Sequence, residues 1–169
     1  MFSLGWKSFD MIDFVSLPPT DIAMRLHAAD VLYVDGGNVY WLAKAMGAPE
    51  IKPLIEDFLS KKVYAGVSAG SMIFSKYISS ATAPVFGEEG ELPIAGGEVN
   101  APFGYFDWYV RPHFKSSACT PPCDEDWIRG IAAQVEFPIY GIDDQTAVRV
   151  IGDTVDVVTE GAWLMPSVQ

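Results

Sequence analysis

Hydrophobic positions fall into short apolar runs separated by amphipathic stretches, and this alternation predicts the elements. Met11–Leu17 reads as a strand that ends at Pro18-Pro19. Thr20 is placed to cap a helix through Ala29, with Ile22 and Leu26 on one face. Val31–Val34 is wholly apolar, as expected of a short strand covered on both faces. The turn Asp35-Gly36-Gly37-Asn38 leads into a helix through Met46. A helix over Glu50–Ser60 lines up Ile51, Leu54, Ile55, Phe58 and Leu59, with Pro53 in its first turn, where a missing N–H costs little. Val63–Val67 reads as another buried strand, and a helical pattern starts just after Ser68.

The second half is less regular. Residues 79–100 hold four Glu among several Gly and read as a long surface loop, a length that is uncommon unless the loop has a function. Tyr105–Val110 forms a strand that delivers Arg111, Pro112 and His113 at its end. Asp126–Val135 is helical in pattern, and Ile139–Ile142 is a strand. Thr146–Ile151 and Thr154–Thr159 flank Gly152-Asp153 as an antiparallel hairpin at one edge. Strand and helix signals that alternate in this way predict an α/β fold: a mostly parallel sheet with helices on both faces and a hairpin near the C-terminus. At 169 residues, one domain over 1–169 is expected.

Composition narrows the partners. Half the residues are hydrophobic, so a core is easily built. Asp and Glu outnumber Lys and Arg by 22 to 11, a net charge of −11 that repels phosphate backbones and anionic lipid. Nucleic acid and membrane surfaces are therefore not expected partners. No run approaches the roughly 20 apolar residues of a membrane span. Met1–Asp10 lacks the apolar core of a signal peptide. Cys119 and Cys123 form neither a disulfide framework nor a zinc set, so free thiols in a cytoplasmic protein are expected, with no metal and no cofactor.

The chemistry concentrates at Gly66-Val67-Ser68-Ala69-Gly70, a G-x-S-x-G pattern between an apolar strand and a helical stretch. A serine on so sharp a turn needs neighbours without bulk, and the N-terminal N–H groups of the next helix favour a developing oxyanion there. The Ala69 N–H is the natural first donor. Asp35-Gly36-Gly37-Asn38 ends the neighbouring strand on the same rim, so Gly36 or Gly37 offers a second donor while Asn38 caps the next helix. Only two histidines exist. His27 near a helix end has a structural reason in the helix dipole. His113 after an apolar strand is the base for Ser68. Either Asp143 or Asp144, at the end of Ile139–Ile142, can orient its ring. The order Ser, His, Asp differs from the Ser, Asp, His of α/β-hydrolases.

Four stretches, Tyr33-Val34-Asp35-Gly36-Gly37-Asn38, Gly66-Val67-Ser68-Ala69-Gly70-Ser71, Pro112-His113-Phe114 and Gly141-Ile142-Asp143-Asp144, together resemble peptidase family S51. That family holds the aspartyl dipeptidases and the cyanophycinases and shares the class I glutamine amidotransferase-like fold, with flavodoxin-like layering. The resemblance implies Ser68 as nucleophile, His113 as base and Asp144 as third member, with Gly37 and Ala69 donating to the oxyanion. It implies serine exopeptidase action on Asp-Xaa dipeptides, or on β-aspartyl substrates as in cyanophycinases, without metal or cofactor. Asn38 and Arg129 become the expected substrate contacts, with Arg111 and Lys115 as alternatives for a substrate carboxylate. The family has a further strand and helix ahead of the position where this chain begins, and Met1–Asp10 corresponds to the end of that helix. From this gap follow two expectations: a homo-oligomer in which another chain pairs with the open sheet edge, or a catalytically silent binding or assembly module.

Overall fold

The computed structural model describes residues 5–117, 119 and 122–167. It is a mixed α/β structure whose element order follows the alternation in the sequence. Helix α1 (Pro19–Ala28) starts behind Pro18, two residues earlier than Thr20 would set it, because Pro19 supplies a first-turn residue that needs no N–H partner. Its Ile22 and Leu26 are buried. Strand β1 (Val31–Val34) then pairs in parallel with β2 (Val63–Gly66), Val31 opposite Val63 and Val34 opposite Gly66. Between them run α2 (Val39–Met46), capped by the Asn38 side chain, which accepts from the Trp41 N–H at 2.8 Å, and α3 (Lys52–Leu59).

Strand β3 (Tyr109–Arg111) pairs in parallel with β4 (Ile139–Ile142), and β4 in turn pairs antiparallel with the short β7 (Trp163–Leu164). Helix α5 (Glu125–Ala132) lies between β3 and β4, capped by Asp124. Strands β5 (Thr146–Ile151) and β6 (Thr154–Thr159) form the hairpin at the expected residues. The hairpin bonds to itself as a two-stranded sheet and adds to neither edge of the others.

Several expectations are corrected here. One continuous sheet was expected; among the described residues the strands form a pair, a triplet and the hairpin, with an isolated parallel bridge, Ser75 to Phe106, outside them. Met11–Leu17 is a set of turns rather than a strand. The Asp13 carboxylate accepts from the Val15 and Ser16 N–H groups and the Ser16 hydroxyl, a local bonding pattern that competes with a ladder. Strand β2 is not buried throughout: Val63 is exposed, as are Val67 just after the strand and Tyr33 on β1. Residues 79–100 are a surface loop only in part. Two short 3₁₀ turns, Ala83–Phe86 and Glu89–Glu91, carry Ala83, Phe86, Glu88, Ala95 and Val99 into buried positions.

The core runs continuously from α1 through α2 and α3 to α5. Phe86 stacks on Tyr109 with ring centroids 4.2 Å apart, which fixes the 79–100 segment against β3. Phe74 meets Tyr64 edge-on at 4.7 Å and Phe103 at 5.0 Å beneath the Ser68 turn. Aromatic pairs of this kind contribute about 0.5–1.5 kcal/mol beyond their buried area. Among the described residues no helix is long and apolar enough to cross a membrane.

Candidate active site

Three chain turns at the carboxyl ends of β2, β3 and β4 converge. Ser68 follows β2 with φ 53° and ψ −121°, a conformation a non-glycine residue rarely adopts and that costs on the order of 1–3 kcal/mol. The surroundings hold it there. Val67 N–H donates to the Val34 carbonyl at 2.9 Å, and Ser71 donates to the Ser68 carbonyl through both its N–H (2.9 Å) and its hydroxyl (2.6 Å). The half-buried Tyr64 hydroxyl donates to the Gly70 carbonyl at 2.7 Å. The small residues of the motif have a steric reason. A Cβ on Gly70 would overlap the Val34 carbonyl, and one on Gly36 would lie 2.8 Å from Ser68 Cβ and 3.0 Å from its Oγ.

His113 leaves β3 through Pro112 with φ 62°. The Phe114 N–H donates to the Ile142 carbonyl at 2.9 Å and the Lys115 N–H to the Cys123 carbonyl at 2.8 Å, so the turn is pinned to the end of β4. The ring lies between two partners. Its Nε2 is 3.0 Å from Ser68 Oγ and its Nδ1 is 3.0 Å from Asp144 Oδ1. With Nδ1–H donating to the carboxylate, Nε2 is free to accept the serine proton, the tautomer that satisfies both bonds. The Asp144 side chain is 72% exposed.

The neighbouring Asp143 does different work. Its carboxylate accepts from the Ala162 N–H, from Thr146 Oγ1 at 2.7 Å and from the Gln145 N–H at 3.0 Å. The Ala162 N–H, then the Thr146 hydroxyl, hold it below the ordinary aspartate value. Asp143 thus fixes the β4 exit while Asp144 reaches the imidazole.

Ser68 opens onto a small cavity of about 150 Å³, whose wall includes Gly37, Ala69, Met72 and Arg111. The Gly36 N–H already donates to its neighbour, Asp35 Oδ1, at 2.7 Å, while Gly37 and Ala69 both line the cavity. The helix behind Ser68, α4 (Ala69–Met72), is a single turn, so its donors matter individually and a macrodipole adds little. Among the described residues no group of three or more His, Cys, Asp or Glu side chains is placed to hold a metal ion.

The sequence model of peptidase family S51 matches residues 1–158. The chain belongs to peptidase family S51. A crystal structure of a peptidase from an acI-B1 Actinobacterium is similar to this S51 chain in fold, with a TM-score of 0.56 over 86% of the chain at 19% identity. The S51 chain spans 63% of that peptidase's length. No curated protein matches its sequence.

The other expected contacts of this S51 protein are placed less directly. Asn38 spends both ends of its amide on structure: Oδ1 on the helix cap and Nδ2 on the Glu91 carbonyl at 3.0 Å. Arg129 is exposed on α5 and pairs with Glu125 one turn away at 2.8 Å, outside the cavity wall. Lys115 lies over the Phe114 ring, 5.2 Å from its centroid, also outside that wall. His27 is exposed in the last turn of α1, where its dipole reason holds. Cys119 and Cys123 are free thiols. Each approaches the Pro112-His113 turn, Cys119 Sγ 3.7 Å from the His113 carbonyl and Cys123 Sγ 3.7 Å from that of Pro112. Burial pushes the Cys123 thiol up to about 11, out of reach of ionisation near neutrality.

Arg111, an alternative for a substrate carboxylate, does line the cavity, but the sequence reading missed its buried partner. Arg111 pairs with Glu88, the two side chains being 13% and 10% exposed, and the second Glu88 oxygen accepts from the Tyr40 hydroxyl at 2.8 Å. The guanidinium also lies over the Trp127 ring, 4.7 Å from its centroid. Glu88 and Glu91 both reach the cavity from the 79–100 segment. The available signal was the four Glu in that segment, together with a tyrosine on the apolar face of α2.

Proposed function

We propose that the protein is a serine exopeptidase that cleaves small peptides through an acyl-enzyme. The line from Ser68 Oγ through the His113 ring to Asp144, with 3.0 Å at each step, is the observation that carries this reading. His113 Nε2 takes the hydroxyl proton as Oγ attacks the carbonyl carbon. The Ala69 and Gly37 N–H groups receive the developing oxyanion. The tetrahedral intermediate then expels the amine, which takes its proton from His113, and a water activated by the same ring releases the acid.

The cavity is about half the size of the smallest ordinary ligand pockets and so suits a single terminal residue. Asp-Xaa dipeptides are the substrates that the family resemblance implies, with β-aspartyl peptides as the alternative. Asn38 acts as a positioning residue in this reading, through its two backbone bonds. The exposed Tyr33 on β1, Val63 on β2 and Val67 just after β2 support a homo-oligomer that covers them, and a monomer mass by light scattering at micromolar concentration would remove that part. For the chemistry, a fluorophosphonate probe should label the wild type and spare Ser68→Ala, and a panel of Asp-Xaa and β-Asp-Xaa dipeptides should release free amino acids. Equal labelling of both proteins would end the serine-peptidase reading.

A further inference from the structure

The wall of the Ser68 cavity holds one cation and two carboxylates. Arg111 and Glu88 neutralise each other, and both Glu88 oxygens are engaged, one by Arg111 and one by Tyr40. Glu91 is different. Its backbone carbonyl is tied to Asn38, but among the described residues its carboxylate has neither a hydrogen bond nor an ion pair. All eleven Lys and Arg of the chain lie among the described residues, and Arg111 alone reaches this wall. The cavity therefore carries one uncompensated negative charge next to the nucleophile.

Building on the serine-exopeptidase reading, we propose that the Glu91 carboxylate receives the free α-ammonium of the substrate's N-terminal residue, so that the cavity selects peptides by their unblocked amino end. The placement fits the chemistry. In an N-terminal residue the amine is two bonds from the carbonyl carbon that Ser68 attacks, so both must enter the same small space. In an internal residue that nitrogen is an uncharged amide and the chain continues beyond it, where a cavity of about 150 Å³ leaves no room. Burial, and then the neighbouring Glu88 charge, raise the Glu91 carboxyl above its ordinary value against the pull of Arg111, so an incoming ammonium relieves an unfavourable charge. The titratable and charged groups that line the cavity with Glu91 are Glu88, Arg111 and His113; Arg111 is paired with Glu88, and the His113 ring lies between Ser68 and Asp144.

Binding measured on Ser68→Ala tests this without depending on turnover. The probes are Ala-Ala and Asp-Ala, each with a free and an acetylated N-terminus, titrated by calorimetry. A free amine should bind about 10- to 100-fold tighter than its acetylated counterpart, the range of a hydrogen bond to a charged group. Adding Glu91→Gln should shrink that preference to within about threefold, and Glu91→Asp should keep part of it, with melting curves showing that each variant is folded. Equal binding of free and acetylated peptides, a preference that survives Glu91→Gln, or no binding of any of the four at millimolar concentration overturns the proposal. Wild-type turnover and probe labelling run in parallel keep the two readings apart. Labelling without the amine preference leaves the peptidase and removes the Glu91 site, whereas the preference without labelling or turnover does the reverse.

Discussion

Replacing Asp144 with asparagine removes the charge beside His113 while keeping the side chain's shape. Its effect on rate follows from how much of the carboxylate is in water. With Nδ1 and Oδ1 3.0 Å apart, the imidazolium and carboxylate charge centres lie about 4 Å apart. Their attraction is about 1 kcal/mol in bulk water and about 4 kcal/mol at the effective dielectric of a protein surface. The Asp144 side chain is 72% exposed, so the benefit to the imidazolium formed in the transition state lies between these limits. That corresponds to a rate loss of about 5-fold to about 10³-fold, below the roughly 10⁴-fold loss known for a buried triad aspartate. The second-order rate constant for fluorophosphonate labelling of Ser68 reports this without a chosen substrate. A rate equal to wild type would show that Asp144 does not act on His113. Labelling as low as in Ser68→Ala, with the melting temperature unchanged, would show that the exposure argument is wrong.

Three further outcomes follow from the same geometry. Gly36→Ala places a methyl against Ser68 Cβ and Oγ, and the displaced hydroxyl should lower the labelling rate by about 10²-fold while the protein stays folded by circular dichroism. Glu88→Ala strands Arg111 in a nearly dry site and should cost about 3–5 kcal/mol in urea unfolding, whereas Glu88→Met with Arg111→Met should recover most of it; an additive double variant would refute this. The Asp143 carboxyl is held below its unfolded value, so it stabilises the fold above about pH 3.9 and loses that contribution as pH falls through its folded value. The melting-temperature gap between wild type and Asp143→Asn should therefore be full at neutral pH and close in acid, and a gap that widens in acid would contradict the assignment.

The local signals read well where one rule governs. Val31–Val34, Ile139–Ile142 and both hairpin strands lie at the expected residues because apolar runs and a Gly-Asp turn fix them. The three residues that meet at the site were each legible as the end of an apolar strand, and Gly36 and Gly70 stand where a side chain would collide. What was not legible depends on distant partners. Met11–Leu17 has strand composition, but the Asp13 side chain offers the backbone a closer partner. The choice of Asp144 over Asp143 for the imidazole depends on Ala162 and Thr146 claiming the latter. The segment at 79–100 looked solvent-facing because its Glu and Gly residues are polar or small. Its burial comes from Phe86 on Tyr109 and from Arg111 accepting Glu88 out of water, neither of which has a periodic signature.

Besides the packing of Ala83, Phe86, Ala95 and Val99 in the core and a bond from Lys44 to the Gly96 carbonyl, polar clasps tie that segment down. Asn38 holds the Glu91 carbonyl, Tyr40 and Arg111 hold the Glu88 side chain, and at its start Ser80 and Val99 close the strap through N–H bonds at 2.9 and 2.7 Å. None of these clasps bonds to Ser68, His113 or Asp144. On the proposed reading, the side chain that meets the substrate amine is thus carried by a segment that is bonded to none of the three residues proposed to break the bond. Exchanging the Glu91 side chain alone should retune which peptides are accepted and leave Ser68, His113 and Asp144 where they are.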